Sequence, residues 1–156
     1  GVSAGGYLAA MAGVTGNETG FEHHGLYSNF DSKVRAVAVQ SGPLGDFNLP
    51  QFTKHPTVIR LLSGDLKHQE YNLSKLSVST YLDKNDSAFF ISHGDIDPVV
   101  PVQMSRDFVE KLTKINHEYE YHEVKQGTHS LSKSKPEDAK VVFKHYLRFI
   151  EKQAFN

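Results

Sequence analysis

A serine, an aspartate and a histidine follow one another along the chain in an order that suits nucleophilic catalysis. Ser3 lies within a Gly-x-Ser-x-Gly pattern, Asp97 follows a short apolar run, and His129 follows a second alternating run. A serine hydroxyl is a poor nucleophile at neutral pH, so it needs an imidazole to accept its proton and a carboxylate to orient that imidazole. These residue types therefore indicate a serine nucleophile that forms an acyl-enzyme intermediate.

The pattern around Ser3 predicts a nucleophile elbow, which is a sharp turn between a strand and a helix. Its flanking residues, Gly1 and Gly5, are expected to let the backbone crowd together where a side chain would clash. No residue precedes Gly1. We therefore expect the chain to be the C-terminal part of a longer protein, with the elbow strand upstream.

The elements that must position these residues can be predicted from hydrophobic spacing. A helix is expected from Ala4 to about Val14, with Leu8, Met11 and Ala12 at helical spacing. Strands are expected over residues 33–40, 88–93 and 118–124, and a helix over residues 102–115. A closing helix should begin at Pro136, with an inner face formed by Val141, Val142, His145, Tyr146, Phe149 and Ile150.

Strands that alternate with helices predict an α/β fold with a mostly parallel sheet and flanking helices, since parallel neighbours need crossover connections. Sites in such sheets gather at the carboxyl ends of strands. Ser3, Asp97 and His129 should thus lie along one rim. Residues 1–156 are predicted to be one partial catalytic domain, within which the weakly patterned residues 44–80 form a mixed helical, cap-like insertion.

Composition excludes several other functions. The net charge of −1 and the lack of a basic stripe argue against a nucleic-acid partner. No apolar run reaches the roughly 18 to 20 residues needed to span a bilayer. The chain has no cysteine, so thiol nucleophiles and CxxC metal sites are excluded.

Three segments resemble the motifs of one esterase group within the α/β-hydrolase superfamily, in which the triad also runs in the order Ser, Asp, His. This group comprises the hormone-sensitive-lipase-like and the feruloyl or acetylxylan esterase-like carboxylesterases. The resemblance is carried by Gly1-Val2-Ser3-Ala4-Gly5-Gly6-Tyr7-Leu8-Ala9, by His93-Gly94-Asp95-Ile96-Asp97-Pro98-Val99-Val100-Pro101 and by Gly127-Thr128-His129. The segment from Val34 to Pro43 is also similar, and residues 44–78 match least.

The resemblance implies Ser3 as nucleophile, His129 as general base and acid, and Asp97 as the residue that orients His129. It implies the backbone N–H of Ala4 as one oxyanion donor, whereas the second comes from an upstream, often HGG-like, loop that this chain lacks. Losing one such donor typically costs about 10² to 10³ in rate, so this chain alone should be weakly active or inactive. The expected substrates are small or carbohydrate-linked esters, with no metal or organic cofactor.

Some residues admit two interpretations. Asp95 could replace Asp97 as the acid, although the spacing of the family motif favours Asp97. Tyr7 either lines an acyl pocket or belongs to the core. His93 is expected to pack beneath the acid loop, and the pair His23 and His24 is expected to lie in a solvated loop rather than to bind metal.

Two other functions remain open from the sequence. A prolyl-oligopeptidase-like serine peptidase can have a similar elbow, although Ala4 and the compact acid loop favour an esterase. A non-catalytic remnant or binding module would keep the fold without turnover. The acyl group, the alcohol, the compartment and the oligomeric state are not specified by the sequence.

Overall fold

The computed structural model of the chain describes residues 1–16, 20–21, 25–30, 32–62, 69–131 and 135–155. Three strands alternate with seven helices in the described residues. In chain order the elements are α1 (Ala4–Val14), β1 (Ala36–Gln40), α2 (Pro50–Thr53), α3 (Pro56–Leu61), α4 (Gln69–Leu76), α5 (Val78–Tyr81), β2 (Ala88–Gly94), α6 (Gln103–Lys114), β3 (Tyr119–Val124) and α7 (Pro136–Phe155).

The three strands form one parallel sheet in the order β1-β2-β3. All seven residues of the central strand, β2, are buried, as expected for a strand covered on both faces. The predicted parallel α/β sheet is confirmed. However, β1 begins at Ala36 rather than at residue 33, because the chain before β2 turns towards α1 and Ser87 N donates to Gly13 O at 3.2 Å.

Helix α1 packs its smallest residues against the sheet. Leu8, which helped to predict the helix, is 66% exposed. A Cβ atom added to Gly13 would lie 2.9 Å from Val37 Cγ1, so a larger residue would push α1 away from β1. The helix was predicted correctly, but the buried residues are Gly6, Ala10, Gly13 and Val14.

Among the described residues of the segment from 44 to 80 lie the short helices α2 to α4 and the first three residues of α5. Their apolar side chains form a cluster of their own with Val100 and Met104, which lie in and just after the loop that follows β2. The segment therefore packs directly on the loop that carries Asp97. The cluster consists of Phe47, Phe52, Val58, Leu62, Leu73, Val100 and Met104.

Helix α7 covers the other face of the sheet, and fewer of its side chains pack against that face than predicted. Phe149 is buried against Phe90 of β2, and Val142 and Tyr146 pack around them. Val141 and Ile150, which we expected on the inner face, are 52% and 37% exposed, because the three-strand sheet accommodates one row of side chains from the helix. Within the described residues, no helix combines the length and apolar character needed to cross a bilayer.

Candidate active site

The acid loop and the histidine loop meet at one short hydrogen bond. His129 Nδ1 lies 2.8 Å from Asp97 Oδ2, and the Asp97 side chain is completely buried whereas that of His129 is 23% exposed. The other carboxylate oxygen, Oδ1, accepts from the backbone N–H groups of Val99 at 2.8 Å and Val100 at 3.0 Å. Each oxygen of Asp97 therefore has its own donors, which fixes the plane of the carboxylate.

These donors also keep Asp97 ionised. Burial by itself raises the pKa of the carboxyl, but the hydrogen bonds from Val100, His129 and Val99 outweigh it and bring the pKa below its usual value. An ionised carboxylate only accepts hydrogen bonds, so His129 carries its proton on Nδ1. The lone pair of His129 Nε2 is then free to take a proton from a nucleophile.

His93 lies beneath the acid loop, where the sequence analysis expected it. Its ring is fully buried, and burial lowers the pKa of His93 even though Val100 and Asp97 oppose the shift. A neutral ring has one N–H, so Nδ1 accepts from the Ser105 hydroxyl at 2.7 Å while Nε2–H donates to Val100 O at 3.0 Å and faces Asp97 Oδ2 at 3.1 Å. His93 thus supports the acid loop without carrying charge.

Asp95, the alternative acid, forms no hydrogen bond or ion pair with His129 in the part of the chain that the structure describes. Its Oδ1 atom is buried and has no hydrogen-bond partner among the described residues. Its backbone N–H donates to Val124 O at 3.1 Å, which joins the acid loop to the end of β3. The geometry accordingly pairs His129 with Asp97.

Ser3 occupies a strained turn at the edge of the sheet. Its φ and ψ angles are 53° and −125°, a region that a residue with a side chain rarely adopts. Hydrogen bonds of 2.9 Å from Ser3 N to Gln40 O and from Gln40 N to Gly1 O place the turn beside β1. Such strain costs about 1 to 3 kcal/mol and concentrates at functional sites.

The two glycines of the motif have different roles. A Cβ atom on Gly1 would lie 2.2 Å from Gly5 O, so the close approach expected of the elbow holds at this position. A Cβ atom on Gly5 would meet nothing within 4 Å among the described residues. The expectation of crowding is therefore wrong at Gly5, because this residue is exposed and already lies in the first turn of α1.

Ala4 begins α1 directly after Ser3. The N–H groups in the first turn of a helix have no partner within the helix, so that of Ala4 is available to a ligand. Ser3 Oγ and His129 are not hydrogen-bonded to each other in the part of the chain that the structure describes. Contacts of this kind are often long before substrate binds and shorten only in the complex.

Two glycines of the motif segments, Gly94 and Gly127, bring the two loops together. A Cβ atom on Gly94 would lie 2.1 Å from Gly127 O, and Gly127 O also accepts from Ile96 N at 3.1 Å. Gly94 ends β2 and Gly127 follows β3, so their backbones touch just before Asp97 and His129. The signal in the sequence was one glycine at the end of each of two strands.

An apolar cavity of about 280 Å³ adjoins the elbow. Ser3 and Ala4 line it together with Val99 and Val100 of the acid loop. The remaining lining residues come mostly from the segment that contains α2 and α3 and from α6: Pro43, Phe47, Phe52, His55, Thr57, Val58, Leu61, Pro101 and Met104.

Tyr7 lies behind this cavity and is not one of its lining residues. Its hydroxyl donates to Leu76 O at 2.7 Å, and its ring centroid lies 6.0 Å from that of Phe47. Burial, with a smaller contribution from Tyr81, raises the pKa of Tyr7. This position favours the core interpretation, and direct contact of Tyr7 with substrate stays a prediction.

Comparison with known proteins identifies the family. The BD-FAE family model matches residues 1–112, which include Ser3, Ala4 and Asp97. The chain belongs to the BD-FAE family. Among curated relatives, Esterase LipC of Mycobacterium tuberculosis is 31% identical over 124 residues, which cover 74% of this chain and 30% of LipC. The chain spans less than a third of the length of the curated relatives it matches.

Solved structures of other proteins share the fold of this BD-FAE chain. A truncated carbohydrate esterase from gut microbiota has a TM-score of 0.82 at 23% identity, with 100% of this chain and 59% of that chain covered. A bifunctional GH43-CE protein of Bacteroides eggerthii has a TM-score of 0.80 at 29% identity, with 99% and 21% covered. The predicted resemblance to α/β-hydrolase esterases is confirmed at the level of family and fold.

Proposed function

We propose that this BD-FAE chain carries the catalytic triad of a carboxylic ester hydrolase, with Ser3 as nucleophile, His129 as general base and acid, and Asp97 as the residue that orients His129. The main support is the 2.8 Å contact between His129 Nδ1 and Asp97 Oδ2. The strained elbow at Ser3 and the esterases among the relatives add to it. The proposal extends to the longer protein of which we predict that this chain is a part.

In this proposal the reaction is acyl transfer to water. Ser3 Oγ attacks the ester carbonyl carbon while its proton passes to His129 Nε2, and the C–O bond to the alcohol breaks as His129 returns the proton to the leaving oxygen. Water then attacks the acyl-enzyme with His129 again as base, which releases the acid and restores Ser3. No metal or organic cofactor takes part.

The negative oxygen of the tetrahedral intermediate would be stabilised by the backbone N–H of Ala4. A second donor would come from outside residues 1–156, as the family resemblance implies. Because both donors act on the developing charge, the chain alone should turn over slowly even with its triad assembled.

The cavity beside Ser3 supports an uncharged acyl group as the part of the substrate that binds there. Aromatic and aliphatic side chains such as Phe47, Phe52 and Val58 dominate its lining, and an apolar wall stabilises apolar groups by removing them from water. We propose small esters, including carbohydrate-linked ones, as the substrate class. The carbohydrate esterase among the structural neighbours motivates the second part.

A fluorophosphonate probe tests the nucleophile, because it forms a covalent bond with an activated serine. The probe should label Ser3, located by mass spectrometry, in this chain and more rapidly in the longer protein. Ser3→Ala should abolish labelling, and His129→Gln should slow it strongly. Ser28→Ala, which removes an exposed hydroxyl outside the elbow, serves as the control. Absence of label at Ser3 in the longer protein would end the proposal.

Substrate choice is tested with p-nitrophenyl esters of increasing acyl length. Phe52→Ala enlarges the cavity and should move the preferred substrate towards longer acyl chains. Phe143→Ala, at a position of α7 that is 59% exposed, should leave the preference unchanged. Hydrolysis of prolyl anilides with no hydrolysis of these esters would instead identify a peptidase.

A further inference from the structure

Two histidines and a glutamate converge where β3 meets α7. Glu120 and His122 are two residues apart on β3, so they point to the same face of the sheet. His145 comes from α7 on that face. His122 Nε2 and His145 Nδ1 each lie 2.7 Å from the same atom, Glu120 Oε1.

The spacing of these three atoms suits a small metal ion. They all lie within 4.8 Å of one another. Tetrahedral Zn²⁺ with bonds of about 2.0 to 2.2 Å needs ligand atoms about 3.3 Å apart. The two contacts of 2.7 Å to Glu120 Oε1 would have to widen to about that spacing to admit an ion.

The three ligands are positioned by regular structure rather than by loops. The ring of His122 lies 5.3 Å from that of buried Phe90 and 4.5 Å from that of His145. The side chains of His122, Glu120 and His145 are 20%, 34% and 38% exposed, so solvent reaches one side of the cluster. Water could thus complete the coordination shell.

We propose that Glu120, His122 and His145 form a binding site for a divalent transition-metal ion, of which Zn²⁺ is the preferred test ion. Two imidazole nitrogens and one carboxylate oxygen are a donor set that Zn²⁺ accepts. None of the three ligands is a residue of the proposed triad. The metal site is therefore separate from the residues proposed for ester hydrolysis. The bound ion would link α7 to the outer strand β3.

No metal site is expected from the sequence, in which His145 falls on the inner face of the closing helix. The pair His23 and His24, expected from the sequence to lie in a solvated loop, is outside the described residues. The chain has nine histidines in all. An experiment must therefore separate the cluster on β3 and α7 from that pair.

Titration of the metal-free chain with Zn²⁺, followed by calorimetry, tests the site. One ion per chain should bind, and Glu120→Gln, His122→Gln and His145→Gln should each weaken binding at least tenfold, since even the loss of a residue that hydrogen-bonds a metal ligand costs roughly 10- to 100-fold. Titration with Co²⁺ should produce the visible absorption bands of a tetrahedral site and lose them in the same variants.

Glu118→Gln is the matched control. Glu118 precedes β3 and accepts from Lys152 and Gln153 of α7, so it joins the same two regions through donors that are not histidines. Zn²⁺ affinity should be unchanged in this variant and in the double variant His23→Gln, His24→Gln. If that double variant loses binding, or if the three cluster variants retain it, the proposal is wrong.

Thermal unfolding provides a second readout that also detects a misfolded variant. A ligand that binds only the folded state stabilises it, and Zn²⁺ at a hundredfold excess over its dissociation constant should raise the Tm by roughly 5 to 10 °C. The cluster variants should unfold cooperatively in EDTA but gain no such increase from Zn²⁺. An equal increase in Tm in all variants would show that the metal binds at another site and would contradict the proposal.

Discussion

Replacing Asp97 with asparagine tests the site most directly, because the change keeps the shape of the side chain and removes its charge. If the amide oxygen faces Val99 N and Val100 N, the NH₂ group faces His129 Nδ1 and His93 Nε2–H. His129 must then accept at Nδ1 and carry its proton on Nε2. That tautomer cannot take a proton from Ser3.

This geometry determines how much kcat and how much free energy of unfolding the variant should lose. Loss of the correct tautomer costs about 10⁴ in kcat in serine triads of this type. Hydrogen bonds to a charged group contribute about 1.5 to 3 kcal/mol, and the NH₂ group meets the donor of His93 in a fully buried position. We therefore expect Asp97→Asn to lose about 10⁴ in kcat and about 2 kcal/mol or more in the free energy of unfolding.

The assay compares hydrolysis of p-nitrophenyl acetate by the longer protein proposed above, together with urea unfolding, for wild type, Asp97→Asn and Asp95→Asn. Asp95 is two residues away and forms no hydrogen bond or ion pair with His129 among the described residues, so its variant should retain most of the activity. Retained activity in Asp97→Asn together with lost activity in Asp95→Asn would refute the assignment of the acid.

The stability of Asp97→Asn should also differ from that of wild type in its dependence on pH. Because the pKa of Asp97 in the folded chain lies below its ordinary value of 3.8, its contribution to stability is complete above about pH 4 and is lost as the pH falls through the folded-state value. Wild type should therefore approach the stability of Asp97→Asn as the pH decreases from 5 towards 2. Parallel stability curves over that range would contradict this origin of the low pKa.

Three further predictions concern the residues around the site. Gly94→Ala places a Cβ atom 2.1 Å from Gly127 O, so hydrolysis of p-nitrophenyl acetate should fall more than a hundredfold with a lower Tm; wild-type kinetics would contradict the close approach. Gly5→Ala meets nothing within 4 Å and should raise the free energy of unfolding by about 0.5 to 1 kcal/mol in urea, whereas destabilisation would indicate an unrecognised contact. Ser105→Ala removes the donor to His93 Nδ1 and should cost about 1 to 3 kcal/mol of stability, measured by thermal unfolding; an unchanged Tm would count against the assigned tautomer.

Local patterns were sufficient to predict most elements of the fold. The bounds of α1 and the parallel orientation of the strands follow from spacing and from the alternation of strands with helices. The face of α1 that packs on the sheet was not predictable in this way. Spacing of large residues such as Leu8 reveals a helix, but it does not show that glycines allow the closest approach.

Contacts between distant segments account for the rest. The meeting of Gly94 with Gly127 depends on how two parallel strands end in register, which no single segment encodes. The cluster at Glu120 likewise needs His145, which lies 25 residues later in the chain. Ser3, Asp97 and His129 could be singled out in the sequence because a family motif surrounds each of them.

The backbone N–H groups of Val99 and Val100 donate hydrogen bonds to the carboxylate of Asp97, and the same two residues form part of the wall of the cavity beside Ser3. A change that reshapes this part of the wall would also tilt the imidazole. Phe47, Phe52 and Val58 line the same cavity and form one apolar cluster with Val100. In the proposed enzyme, acyl preference and proton transfer are therefore mechanically coupled, and a substitution that alters one should also alter the other.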